Sequence, residues 1–274
     1  MDSALLKVFV TVAEEGTLSG ASKVLNCVQS NVTARLKQLE EGIGRSLFHR
    51  KPRGVILTEA GEVLLPHARE IVRRLDDAEL IMKNLGEEAG RLRIGSTESN
   101  AAVRLAPLLV RLHAEYPKIE FQLFTGTTQS VTAELLEYKL DIAFVSGRPQ
   151  NPDLEILKEI DEQMVLVEPA AGDVPDVVIN FKRGCTYKEH MTEVMKTIGV
   201  TGFREMEFGS LETILGCVSA GMGRTLLPLN VVEKMGDKSA LRIRPLDGHL
   251  GNIPTCIICR RDARPVIDVE IFNL

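Results

Sequence analysis

Residues 5–61 read LLKVFVTVAEEGTLSGASKVLNCVQSNVTARLKQLEEGIGRSLFHRKPRGVILTEAG, and the spacing of apolar positions here decides the N-terminal fold. Leu5, Leu6, Phe9, Val10, Val12 and Ala13 recur at helical intervals, and Gly16 is placed to end that helix. A second short helix is predicted over 18–26, with Ser19 near its start and Ala21, Val24 and Leu25 facing inward. A third spans 29–41, with Val32, Leu36 and Leu39 on one face. About three residues join the second and third helices, as a helix-turn-helix requires. In that motif the third helix enters the DNA major groove, where Gln pairs with adenine, Arg with guanine, and Thr with an acceptor or a thymine methyl. The candidate contacts on it are Gln29, Ser30, Asn31, Thr33, Arg35 and Lys37. Arg50-Lys51-Pro52-Arg53-Gly54 precedes a β-rich run, so Arg50, Lys51 and Arg53 are expected on a wing that meets phosphates or the minor groove.

Charge supports the same division. The chain of 274 residues carries a net charge of −5. Residues 1–58 hold eight basic and five acidic side chains, a net of +3, which leaves −8 for the remainder. A basic head on an acidic body implies polyanion binding with separate control. The 44% hydrophobic content permits a sizeable core. Low aromatic content, 4% with no Trp, argues against base-stacking platforms. No apolar run reaches the length of a membrane span, and the acidic, amphipathic N-terminus does not read as a secretory signal. A cytoplasmic location without membrane attachment is therefore expected, and five scattered cysteines fit a reducing compartment.

The 5–61 stretch resembles the winged helix-turn-helix of LysR-type transcriptional regulators. The resemblance rests on Phe9, Val12, Ala13, Glu14, Gly16, Leu25, Gln29, Val32, Leu39, Glu40, Gly44, Leu47, Phe48, Arg50, Leu57, Thr58, Ala60 and Gly61 at the family's spacings. The family's Ser or Thr before the Gln is Val28 here, so the third helix lacks its usual side-chain cap. Ser30 and Asn31 replace the common Pro-Ala, so the preferred operator is not carried over.

Thr58 can cap a helix running to about Leu85, too long for an ordinary compact domain. Leu64, Ala68, Ile71, Leu75, Ala78, Met82 and Leu85 alternate at four and three, a heptad seam that predicts a paired helix. Pro66 cannot donate to the carbonyl of Glu62, so a bend is expected there. The resemblance implies homodimers through this helix, and homotetramers as dimers of dimers.

Beyond it, strands and helices alternate. Strands are predicted at 91–95, 119–125 and 140–145, with helices at 100–116 and 129–138 between them, implying a parallel sheet. Residues 155–168 cross to a second lobe with strands at 177–180, 203–208 and 223–227 and helices at 186–198 and 210–220; strands at 240–245 and 253–260 follow, the last returning to the first lobe. The resemblance identifies this body as a periplasmic-binding-protein-like effector domain. The expected organisation is a winged helix-turn-helix over 1–58, a linker helix over 59–88, and a two-lobed α/β domain over 89–274. Its lobes take about 90–160 with 251–274, and about 161–250. Only nine residues after Pro265 remain for the family's last helix.

Ligands of open α/β sheets bind beyond the carboxyl ends of strands. Loops there that open helices nominate Ser96, Thr97, Ser99, Thr127, Ser146, Cys185, Thr186 and Ser210 as effector contacts, though each hydroxyl taken alone is more often an ordinary cap. Glu98 beside Thr97 would repel a simple anion, so the effector is expected to carry a donor or positive group as well. No basic residue in these loops stands out as a carboxylate clamp.

No His pattern or paired CxxC suggests a metal, and no nucleophile–base constellation suggests an enzyme. Cofactors other than the effector are not expected. The implied function is a DNA-binding regulator controlled by a small molecule, with promoter DNA, the effector, further copies of the chain and RNA polymerase as partners. Three rivals are a ligand-binding protein with no DNA role, an enzyme on a doubly wound fold, and a redox sensor using Cys185 with Cys217 as partner.

Overall fold

The computed structural model describes residues 2–52, 54–83, 89–182 and 184–264. Arg53, Leu85 and the last ten residues, where the short final helix is expected, lie outside the described residues. The chain divides into two units, Met1–Gly90 and Arg91–Leu274.

The first unit begins with α1 (Ser3–Glu15), capped by the Asp2 carboxylate on the amide of Ala4 and ended by Gly16 at φ 63°. α2 (Leu18–Val24) is capped by the Thr17 hydroxyl, not by Ser19, and α3 (Gln29–Ile43) by no side chain, as Val28 predicts. β1 (Phe48–Lys51) and β2 (Gly54–Leu57) pair antiparallel as the wing. Gly54 is at φ 142°, where a Cβ would lie 2.4 Å from the carbonyl oxygen of Gly16. That carbonyl accepts from the amide of Val55, so the wing is pinned to the end of α1. Glu40 accepts from the amide of Leu47 and thereby fixes the turn into β1. The core gathers Leu6, Phe9, Val12, Ala21, Val32, Leu36, Leu39, Leu47 and Phe48, with the Phe9 and Phe48 ring centroids 5.4 Å apart. Val24, expected inside, is 62% exposed, because α2 ends there and the chain turns away through Asn26 at positive φ.

α4 (Glu59–Lys83) starts where the Thr58 hydroxyl accepts from the amide of Gly61, and it runs on through Pro66. Its first half departs from the expected seam. Ala68 is fully buried in the unit's own core, and Leu64, Leu65 and Val72 pack against that core. The exposed apolar stripe is instead Val63, Ile71, Leu75, Ala78 and Met82.

The second unit has two lobes. The first contains β3 (Ala89–Thr97), α5 (Glu98–Asn100), a π-helical turn (Ala101–Leu105), α6 (Ala106–Glu115), β4 (Lys118–Gly126), α7 (Thr128–Leu136), β5 (Ile142–Ser146) and β6 (Leu154–Ile160). The second contains β7 (Met164–Pro169), β8 (Val177–Phe181), α8 (Thr186–Thr197), β9 (Arg204–Phe208), α9 (Leu211–Ser219), β10 (Thr225–Pro228), α10 (Leu229–Met235) and β11 (Leu241–Pro245). β12 (Thr255–Arg260) returns to the first sheet, whose order is β4-β3-β5-β12-β6.

The sheet is mixed, not parallel. β3 and β5 are parallel, but β12 runs antiparallel to both β5 and β6. A strand that arrives from the other lobe enters the sheet from the end opposite to a helix-connected strand, and this reverses its direction. In the second lobe β10 and β11 flank β7 antiparallel, β8 and β9 are parallel, and a bridge from Val178 to Arg224 joins the two sets. The two chain crossings between lobes pair with each other: Gln163 bridges Asn252, and the Met164 amide donates to the Gly251 carbonyl.

Candidate functional site

On the first unit, Gln29, Ser30, Arg35 and Lys37 are exposed and Asn31 and Thr33 half-buried. Successive helix residues sit about 100° apart. Opposite the buried row of Val32, Leu36 and Leu39 therefore stand Ser30, Ala34 and Lys37, with Gln29 and Thr33 along one flank and Asn31 and Arg35 along the other. Thr33 and Arg35 are about 200° apart, too far round the helix to share one line of base edges. Ala34, central and exposed, is a position that the search for polar side chains passes over. The Thr33 hydroxyl donates to the Gln29 carbonyl, and Lys37 pairs with Glu41 at 3.4 Å. Arg50 and Lys51 are exposed on β1.

On the second unit, a cavity of about 150 Å³ opens at the carboxyl ends of β3, β4, β5, β8 and β9. Five predicted contacts line it: Thr97, Ser99, Thr127, Ser146 and Cys185. Three do not. Ser96 is fully buried and donates to the Thr97 carbonyl, Thr186 donates to the Ser146 carbonyl, and at the β9–α9 loop Gly209 faces the cavity in place of Ser210. Glu98 lines it, and so do Lys182 and Tyr187. Lys182 corrects the expectation of no basic residue; it follows β8 and extends over Gly209, where a Cβ would lie 3.0 Å from the lysine Cε.

Tyr187 is buried on α8, and its hydroxyl meets Ser99 Oγ at 3.2 Å and Ser146 Oγ at 2.9 Å, tying the second lobe to the first. Burial pushes its phenol well up. A lone Tyr in a helix carries no signal of this, because its partners are 88 and 41 residues away. Thr127 is an ordinary cap: it and Ser130 form a reciprocal capping box at the start of α7. The caps of α8 and α9 make no side-chain hydrogen bond.

A polar chain leads from the cavity into the region between lobes. Asn100 donates to Thr97 Oγ1 at 3.0 Å and accepts from Arg104 and Thr255, each at 3.1 Å. Arg104 pairs with Glu162, which sits on the β6–β7 crossing and also accepts from Thr255 at 2.9 Å and Asn230 at 3.0 Å. Glu162 is 3% exposed, and burial raises its pKa against the opposing pull of Arg104 and the donors.

Burial works against the redox alternative at Cys185. Burial pushes this thiol up to about 11. At pH 7.5 that leaves roughly 0.03% thiolate, against about 10% at an unperturbed pKa near 8.5. Thiol labelling at pH 7.5 is therefore expected to be about three hundredfold slower at Cys185 than at a free cysteine, read by peptide mass mapping. A rate within a few-fold of free cysteine would restore the redox reading. Among the described residues no group of His, Cys, Asp or Glu is placed to hold a metal, and no helix is long and apolar enough to cross a membrane.

Both parts of the sequence match known protein families. The description "Bacterial regulatory helix-turn-helix protein, lysR family" fits residues 3–62, and "LysR substrate binding domain" fits 85–270. The HTH-type transcriptional regulator YusT of Bacillus subtilis, itself described as uncharacterized, is 40% identical over 270 residues, covering 96% of this chain and 91% of its own. GltR of the same organism is 37% identical over 270 residues with the same coverage. Among solved structures, a full-length OxyR variant from Pseudomonas aeruginosa superposes with TM-score 0.76 at 20% identity, covering 99% of this chain and 93% of its own. Full-length CbnR complexed with its target DNA does so with TM-score 0.67 at 21% identity, covering 99% and 97%. At such identities these structures show the fold, whereas the relatives and family matches span almost the whole sequence. The chain belongs to the LysR family and is a transcriptional regulator with a helix-turn-helix DNA-binding head and an effector-binding domain.

Proposed function

We propose that a small molecule seated in the cavity of the second unit controls promoter binding by the first. The cavity's walls carry this reading: Thr97, Glu98, Ser99 and Thr127 come from one lobe, and Phe181, Lys182, Cys185 and Tyr187 from the other. An occupant touching both favours one lobe arrangement, and it shifts promoter binding only by its differential affinity for the arrangements. In this reading the lining hydroxyls of Thr97, Ser99 and Ser146, held by one another and by Tyr187, serve to bind the occupant. A regulator of this kind works on RNA polymerase at the same promoter, in the cytoplasm, as a dimer or a pair of dimers. The exposed stripe on α4 supplies the pairing face.

In the DNA reading, Gln29, Ser30, Thr33 and Ala34 face base edges, Ala34 by apolar contact with a thymine methyl. Asn31, Arg35, Lys37, Arg50 and Lys51 are assigned to phosphates or groove edges. Gln29→Ala is expected to cost about 1–3 kcal/mol on the operator and little on random DNA. Lys51→Ala is expected to weaken both and to flatten the salt dependence. Fluorescence anisotropy with operator and scrambled duplexes at several salt concentrations separates the two, and equal losses on both duplexes for Gln29→Ala would refute base reading.

A further inference from the structure

Glu98 and Lys182 line one cavity from opposite lobes, Glu98 after β3 and Lys182 after β8. Among the described residues neither makes an ion pair or a side-chain hydrogen bond. Lys182 is exposed and Glu98 half-buried, so both charges are open to a molecule that enters the cleft.

The rest of the lining sorts with these charges. Beside Lys182, Cys185 precedes α8 at the cavity with its sulfur toward the amides of Tyr187 and Lys188, and Gly209 lines the wall just ahead of α9. On the Glu98 side, α7 is closed by the Thr127–Ser130 capping box, and the amide of Gln129 is taken by the Gly184 carbonyl. One wall therefore offers the ammonium of Lys182 and the facing wall the carboxylate of Glu98. Around them stand the hydroxyls of Thr97, Ser99, Thr128 and Ser146 and the ring of Phe181.

We infer that the effector is a small zwitterion, an amino acid, whose carboxylate meets Lys182 and whose ammonium meets Glu98. A cavity of about 150 Å³ matches a molecule near benzene in size, on the order of six to ten non-hydrogen atoms, and so a short amino acid. Its two charged ends would bind different lobes, so occupancy itself draws the lobes together. A simple anion would meet repulsion from Glu98, and a simple amine repulsion from Lys182.

The inference rests on the effector-cavity reading above, and the test separates the two. Full-length protein is screened by thermal shift, then calorimetry, against the common L-amino acids. The panel also holds their N-acetyl derivatives, their carboxamides, and acetate, pyruvate and benzoate. At least one free amino acid is expected to raise Tm, while its N-acetyl and carboxamide forms bind at least tenfold more weakly. Glu98→Gln and Lys182→Met are each expected to weaken that amino acid by about ten- to a hundredfold, the range for losing a hydrogen bond between charged groups. Glu98→Gln is further expected to reduce the penalty for N-acetylation, because the neutral amide no longer demands a cation. The melting temperature without added compound checks that each variant is folded.

Three results overturn the zwitterion: no amino acid binds; a carboxylate lacking an amine binds as well as the amino acid; or Glu98→Gln leaves amino-acid affinity unchanged. The first two leave operator binding, and with it the regulator, untouched. If an amino acid binds through Glu98 and Lys182 yet operator affinity does not respond, the zwitterion stands and effector control fails.

Discussion

Arg104→Ala is expected to lower the stability of the 91–274 unit by about 3–5 kcal/mol at pH 7, the cost of leaving a buried charge without its partner. The Arg104 guanidinium pairs with Glu162 and donates to Asn100, and both of those side chains are almost inaccessible to water. Removing it leaves Glu162 with only the neutral donors of Thr255 and Asn230. The sign of the pH dependence follows from the folded-state pKa. Burial already raises the Glu162 pKa, and loss of Arg104 raises it further. A carboxyl whose pKa is raised by folding favours the fold while protonated, and that advantage is lost as pH climbs through the folded value. The deficit of Arg104→Ala is therefore expected to be smallest near pH 4.5 and to grow toward pH 7.

Adding Glu162→Gln removes the charge and is expected to recover about half of the loss at pH 7. Urea unfolding at several pH values reads both effects. A deficit under 1 kcal/mol, equal at pH 5 and pH 7, would show that water or another group satisfies Glu162. Because this cluster links Thr97 at the cavity to both chain crossings, Arg104→Ala should also blunt any effector response that survives at acidic pH.

Leu75→Glu is expected to abolish the proposed dimer. Leu75 is 42% exposed on the stripe with Ile71, Ala78 and Met82, so the substitution removes little from the folded chain. In a paired helix it removes two apolar contacts and places two carboxylates in a drying interface, at several kcal/mol per ion. Even about 4 kcal/mol in total would raise the dimer Kd roughly a thousandfold. Sedimentation equilibrium should show a monomer with an unchanged melting temperature. Operator affinity should collapse, because a two-fold operator needs two recognition helices. Ala68→Glu is the contrast. Ala68 sits in the head's own core, so that variant should fail by unfolding the head. An unchanged oligomeric mass for Leu75→Glu would place the interface elsewhere.

The distinction between Leu75 and Ala68 marks where sequence reading runs out. Both fall on one heptad register, and a register says which residues share a face without saying what covers it. In α4 the first half of that face is covered by α1 of the same head, so only the later turns present the stripe outward. The mixed sheet has a related cause: β12 joins its neighbours only after the chain has crossed to the second lobe and returned, so local alternation cannot report its direction.

What the sequence determined by itself was local. The apolar spacing in α1 and α3, the glycine that ends α1 and the missing cap at Val28 are set by residues a few positions apart, where propensity and periodicity act. The loops that open at the cavity were legible for the same reason, because a strand end followed by a helix cap is a short pattern. The tertiary structure decided which of those hydroxyls face the cavity. It also decided that Tyr187 and Lys182 join them and that Glu162 and Arg104 meet beneath. Each of those pairings closes a long loop of chain, so it exists only once the lobes have packed and water has left between them.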